Sequence, residues 1–215
     1  MGRVEVNALR GVDLEIDRGA SIGIMGPSGC GKTTLLNILG TLDRPTSGQV
    51  IIDGTDVTDM SERQLTSIRR EKISLVFQFY NLLPALTAFE NVEIPLVIAG
   101  VDEHVRRERV MHLLELVGLS HRADHRPDEL SGGEQQRVAI ARALAKPPGA
   151  PGSTLVLADE PTGDLDTTTG DEVMETLIRV TRQEGSTLVV VTHDIGIARK
   201  MDRVVNMRDG RIVDG

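Results

Sequence analysis

The stretch that most constrains this chain is Gly26-Pro27-Ser28-Gly29-Cys30-Gly31-Lys32-Thr33-Thr34, which has the spacing G-x-x-x-x-G-K-[ST]. Before it, Ser21-Ile22-Gly23-Ile24-Met25 reads as a short buried strand. After it, Leu35-Leu36-Asn37-Ile38-Leu39 reads as a helix stopped by Gly40. Glycines at such a strand-to-helix turn let backbone N–H groups converge on a phosphate at a helix N-terminus, where the dipole favours negative charge. In that geometry Lys32 reaches the β- and γ-phosphates and the Thr33 hydroxyl sits on Mg²⁺. The loop from Gly26 to Thr34 is therefore the first candidate binding site. Cys30 acts there through its backbone, so its thiol is incidental. A glycine-rich turn with a stray lysine is the bland alternative, and the correct flanks on both sides weigh against it. The cradle alone does not choose among kinases, GTPases and transport ATPases.

The rest of the chain narrows the choice. Its 215 residues suit one domain with a proper core. Lys and Arg total 24 against 32 Asp and Glu, a net charge of −8, which argues against a nucleic-acid partner. One cysteine cannot close an intrachain disulfide and fits a reducing compartment. No apolar run approaches the ~20 residues that span a bilayer, and Met1-Gly2-Arg3-Val4-Glu5-Val6 lacks the apolar stretch of a signal peptide. A soluble, cytosolic chain is expected.

Val12, Leu14 and Ile16 alternate with acidic residues, so the spacing predicts a half-exposed strand around 9–17. Further strands are expected at Gln49–Ile52, Ile73–Phe77, Leu155–Ala158 and Thr187–Thr192, the last so continuously apolar that both its faces should be covered. Asp209-Gly210 predicts a terminal hairpin between Val204–Met207 and Arg211–Val213. Ser61 and Gln64 have capping-box spacing and open a helix to about Arg70. Between 79 and 150 the texture is mostly helical, with Val110, Leu113, Leu114 and Val117 at core-facing spacing. Strands alternating with helices give an α/β core.

A second constellation is Leu130-Ser131-Gly132-Gly133-Glu134-Gln135-Gln136-Arg137. Ser131 and Glu134 again have capping-box spacing, and a helix opening Ser-Gly-Gly offers N–H groups, a hydroxyl and a positive dipole end to an anion. Alone, it would read as a capped helix after a glycine turn.

Together these motifs resemble the ATP-binding subunit of ABC transporters, in order along nearly the whole chain. Gly26–Thr34 matches that family's phosphate loop, Gln78 its Q-loop glutamine and Leu130–Gln136 its signature. Leu155–Glu160 matches the magnesium strand with its adjoining carboxylate, Gly163-Asp164-Leu165-Asp166 the D-loop and His193 the switch histidine. The wording Val76-Phe77-Gln78-Phe79-Tyr80-Asn81-Leu82-Leu83-Pro84, with Gly40–Gly48, is similar to the branch serving lipoprotein release and macrolide export. The fold implied is α/β: a P-loop NTPase, RecA-like core with an antiparallel β subdomain and an inserted helical subdomain. Within the single domain 1–215, the core would comprise 1–78 and 153–215. The helical subdomain carrying the signature would span 79–152.

The resemblance also implies roles. Thr33, Asp159 and Gln78 would hold Mg²⁺, directly or through water, while Lys32 spreads charge on the β/γ oxygens. Glu160 would polarise the attacking water, and His193 would contact the γ-phosphate. The nine residues of 26–34 bind ATP in their own subunit, while Ser131, Gly132, Gly133 and Glu134 complete the site of a second copy. As in the family fold, two ATPs would be sandwiched between two head-to-tail chains. The aromatics, Phe77, Phe79, Tyr80 and Phe89, all lie between the strand that precedes Gln78 and the start of the helical lobe. Phe79, Tyr80, Leu82, Leu83 and Leu86 are expected to receive a permease's cytoplasmic helix, which would hold the chain peripherally on the cytoplasmic face of the membrane.

Two departures from the family stand out. No aromatic precedes Phe77, so the ring that usually stacks on adenine is missing. Because stacking on a base is worth ~1–3 kcal/mol, weaker ATP binding and relaxed base choice are expected unless Arg3, Val4 or Val6 substitutes. The chain begins about where that ring would already have passed, as a shortened start would. The loop Lys146–Ser153 is longer than expected and reads as a surface insertion. Competing readings are an importer ATPase, which shares the catalytic residues, and a soluble ABC protein of DNA repair or ribosomes, which usually carries two cassettes or a coiled-coil insert.

Overall fold

A computed structural model describes residues 7–147 and 155–213. Arg3, Val4, Val6, most of the 146–153 loop and the 152/153 boundary lie outside the described residues. The sheet is built from β1 (Ser21–Met25), β4 (Ile73–Phe77), β5 (Leu155–Asp159), β6 (Thr187–Val191), β7 (Arg203–Arg208) and β8 (Arg211–Val213). Their order is β4-β5-β6-β1-β7-β8, parallel from β4 through β7 and antiparallel only at β8. A separate pair, β2 (Ile51–Ile52) and β3 (Thr55–Asp56), forms a small antiparallel hairpin. This is the expected α/β architecture.

Side-chain alternation explains why the sheet is covered twice. In β6, Leu188 and Val190 join one apolar cluster while Val189 and Val191 join the other. β5 divides the same way, with Val156 and Ala158 on the first face and Leu157 on the second. The first face carries α3 (Ala88–Ile98), α4 (Glu103–Leu116), α5 (Gly132–Leu144) and α6 (Thr167–Gln183). Val110, Leu113, Leu114 and Val117 are fully buried there. The second face carries α1 (Lys32–Leu39) and α2 (Glu62–Lys72). A short α7 (Ile195–Ala198) packs beside β1.

One expectation differs. Residues 9–17 form no strand among the described residues, although Leu9, Val12, Leu14 and Ile16 do pack against the second cluster. The alternation marks which side chains the core covers; it does not supply a ladder partner.

Lys146 makes an unusual join between the two layers. Its ammonium donates to the carbonyls of Arg69, Arg70 and Ile73 at 3.2, 3.0 and 2.7 Å, closing the C-terminal end of α2. Burial pushes the amine from its usual 10.5 down to about 8. Below pH 8 both folded and unfolded chains hold the proton, and the full cost of the buried charge is present. Between pH 8 and 10.5 the folded chain releases it first, so stability rises with pH. Relative to Lys146→Met, the wild-type chain should therefore gain up to about 3 kcal/mol between pH 7 and pH 10. Urea midpoints of both chains at the two pH values read this difference; a constant gap would contradict it.

Candidate functional site

The carboxyl ends of β1, β5 and β6 open on one side of the sheet, where α/β proteins place ligands. From β1 the chain enters the Gly26–Thr34 loop. Gly31 is the N-cap of α1 at φ 104°, and no side chain caps that helix. Its first N–H groups are thus left open toward the loop. Glycine is required here on two counts. A Cβ on Gly26 would lie 2.3 Å from the Met207 carbonyl oxygen, and one on Gly31 2.6 Å from that of Ala8. Lys32 is buried, and its ammonium donates to the carbonyls of Gly26 at 2.7 Å and Pro27 at 3.0 Å. Two of the three ammonium donors are used in this way, and the third has no partner among the described residues.

Asp159 ends β5, and the Thr33 hydroxyl hydrogen-bonds its carboxylate. Burial, with the neighbouring Glu160 charge, raises the Asp159 pKa; Thr33 and Lys32 offset part of that. Glu160 takes a left-handed backbone at φ 44°, pinned by its N–H to the Val191 carbonyl at 2.9 Å. Non-glycine residues held there cost energy and cluster at functional sites. From the end of β6, His193 places its Nδ1 2.9 Å from Glu160 Oε2.

Ser28, Gly29, Gly31, Lys32, Thr33, Thr34, Glu160 and His193 line one cavity of about 600 Å³, and Asp159 stands behind it, joined through Thr33. Asn7, Ala8, Arg10, Asp209 and Gly210 complete its wall. That second group escaped sequence reading. Asp209-Gly210 signalled only a hairpin, and nothing marks Asn7 or Ala8. Gly210 is stitched in from both sides, donating to the Cys30 carbonyl at 3.0 Å and accepting from the Arg10 N–H at 2.7 Å. No aromatic lines the cavity among the described residues.

Gln78 and the Ser131 helix stand elsewhere. The Gln78 amide donates to Asp164 Oδ1 at 2.9 Å and lies where a Cβ on Gly163 would be 2.9 Å from it, so it does not line the cavity. None of Ser131, Gly132, Gly133 or Glu134 lines it either. Ser131 caps α5, and Glu134 reaches back to the Ser131 N–H at 2.8 Å and toward Arg122 at 3.4 Å. The Ser131 N–H bond chiefly holds the Glu134 carboxyl below its usual range. The two glycines also permit close packing. A Cβ on Gly132 would meet the Tyr80 hydroxyl at 2.8 Å, and one on Gly133 a Thr169 methyl at 2.5 Å.

Residues 9–163 match the family described as ABC transporter. The chain belongs to that family. As an ABC cassette it is 53% identical to the lipoprotein-releasing system ATP-binding protein LolD of Geobacter metallireducens, over 99% of this chain and 92% of that protein. Against the macrolide export ATP-binding/permease protein MacB of Brucella melitensis it is 48% identical, over 99% of this chain and 32% of the longer protein. Among solved structures, the ABC cassette resembles the dimeric MJ0796 of Methanocaldococcus jannaschii in a post-hydrolysis state bound to ADP and Pi. The TM-score is 0.85 at 46% identity, covering 100% of this chain and 92% of that one.

Proposed function

We propose that the chain is the ATP-hydrolysing subunit of an ABC transporter, working as a head-to-tail pair that closes on two ATPs and powers a membrane permease. The observation that carries this reading is the division of the machinery. The phosphate loop, Glu160 and His193 meet at one cavity, with Asp159 behind its wall on the Thr33 hydroxyl, while the Ser131-Gly132-Gly133 helix end stands apart from it. A second copy supplies that helix end, and a dimeric relative with ADP and Pi supports the arrangement.

In this reading the open N–H groups of α1 cradle the β-phosphate and Lys32, steadied by the Gly26 and Pro27 carbonyls, donates to the β/γ oxygens. Glu160 orients and polarises water, and His193 holds the Glu160 carboxylate while sensing the γ-phosphate. The donor set fits Mg²⁺: the Thr33 hydroxyl and the Asp159 carboxylate are hard oxygens already in contact. A cation would offset the burial and the neighbouring Glu160 charge that together raise the Asp159 pKa. Thr33 and Asp159 would hold the ion, Gln78 joining on leaving Asp164, and the ion would neutralise developing charge on the phosphates. The core at 1–78 and 153–215 would carry this chemistry, and the 79–152 unit would carry the signature and the permease contact.

The relatives named for lipoprotein release and macrolide export favour a permease of that type. No helix among the described residues is long and apolar enough to cross a membrane; the peripheral place on the cytoplasmic face rests on the permease contact. The docking groove runs along Phe79, Tyr80, Leu82, Leu83 and Leu86. Phe79 and Leu83 are 68% and 49% exposed, on a backbone that the buried Asn91 pins through Leu83, Leu86 and Thr87. Apolar side chains held outward on a fixed loop suit a helix partner. In proteoliposomes with its permease, Phe79→Ala combined with Leu83→Ala should reduce permease stimulation of ATP turnover from several-fold to about one. Undiminished stimulation would move the docking surface elsewhere.

A further inference from the structure

Helix α5 carries two side chains whose hydrogen bonds run to other elements. Gln136 has no exposed surface, and an amide buried so completely needs fixed partners. Its Nε2 donates to the Phe77 carbonyl at 3.1 Å and to the Pro161 carbonyl at 2.5 Å. Phe77 is the last residue before Gln78, and Pro161 the first after Glu160. β4 and β5 are paired up to Phe77 and Asp159, where the ladder ends. One amide therefore grips the chain on both arms of the fork. Further along α5, Arg142 donates to the carbonyls of Tyr80 at 2.9 Å and Asn81 at 2.5 Å. Gln78 is bracketed by α5 on both sides, and the Glu160 loop is tied to the same helix.

Core filling alone does not account for an amide at this position. Gln136 Oε1 is buried without a partner among the described residues, a cost that an unbranched apolar side chain of similar length avoids. What the residue contributes is its two donated bonds.

We propose that Gln136 is a positioning residue for ATP hydrolysis, holding the Gln78 and Glu160 loops of its own subunit in register with the helix end that meets the other subunit's nucleotide. This rests on the sandwich reading above. A helix drawn onto the partner's ATP carries its own two loops with it, so each site of the pair is adjusted by the occupancy of the other.

The test is Gln136→Met, which keeps length and apolar bulk without a donor, in the full chain. ATP turnover is measured against ATP concentration, and rates are corrected for folded fraction from the thermal midpoint. We expect kcat to fall at least about tenfold, KM for ATP to stay within about threefold, and the Hill coefficient to drop from near two toward one. A kcat within twofold of wild type would overturn the proposal, as would a raised KM with kcat unchanged. If the methionine variant does not fold, Gln136→Asn, with the amide on a shorter stem, is read against the same criteria. Failure of both to fold would make Gln136 a structural residue and overturn the proposal. A wild-type chain without turnover would overturn the sandwich reading and this inference with it; a wild-type rate in Gln136→Met overturns this inference alone.

Discussion

Glu160→Gln is expected to lower the rate of ATP hydrolysis by about 10²–10⁴-fold while leaving ATP bound. The substitution keeps the side chain's length and shape and leaves the left-handed backbone at Glu160, with its bond to the Val191 carbonyl, as it is. It also keeps an oxygen for His193 Nδ1, now 2.9 Å from Glu160 Oε2. What it removes is the negative charge that, in the role proposed for Glu160, draws a proton from water. Binding energy that closes the pair is then no longer released by hydrolysis, so the closed pair accumulates. In sedimentation, the variant should be a monomer without nucleotide and a dimer with ATP and Mg²⁺. Turnover at the wild-type rate would remove Glu160 from its role, and a monomer in saturating ATP would contradict the sandwich.

Gly26→Ala is expected to damage the site without touching a polar side chain. A Cβ there would fall 2.3 Å from the Met207 carbonyl oxygen and 2.6 Å from Cys30 Sγ. The thiol has little room to swing away, because Cys30 is itself buried and its carbonyl is bonded to Gly210. Either the loop or β7 must shift. Overpacking of this kind costs about 1–3 kcal/mol, roughly 2–12 °C in thermal midpoint at this chain length. A displaced loop also loses its convergent N–H groups, so nucleotide affinity should fall at least about tenfold. Gly29→Ala is the control: its Cβ would meet nothing within 4 Å, and only the backbone at φ 76° resists it, which costs about 1 kcal/mol. Equal midpoints and equal nucleotide affinity for the two variants would show that the Gly26 clash relaxes without cost.

How far the sequence could be read depended on whether the signal was local. The phosphate loop was legible because glycine spacing, strand and helix lie within twenty residues. So was β6, whose unbroken apolar run requires cover on both faces. The stretch at 9–17 was half legible: its alternation locates the covered side chains, but strand pairing depends on a partner that alternation cannot name. Gln78 could be placed just after β4, yet the direction of its amide is decided by Asp164, 86 residues away, and by the missing side chain of Gly163. The wall formed by Asn7, Ala8 and Asp209 had no local signature, because it exists only where distant segments meet. Gln136 read as one more letter of a motif, and only the carbonyls of Phe77 and Pro161 distinguish it from its neighbour Gln135.

The position of β1 bears on the order in which a nascent chain can become competent. The strand that feeds the phosphate loop lies between β6 and β7, so both its neighbours come from residues after 186. Gly210, which stitches the loop's Cys30 to Arg10, comes later still. On a ribosome adding about 5–20 residues per second, β1 waits roughly 8–30 s for its first ladder partner. Until then neither strand that flanks β1 exists to hold the start of the loop in place. The glycine-rich loop is therefore synthesised early and assembled late, and a ribosome that stalls before the β7–β8 hairpin leaves the loop without the Gly210 side of its cavity.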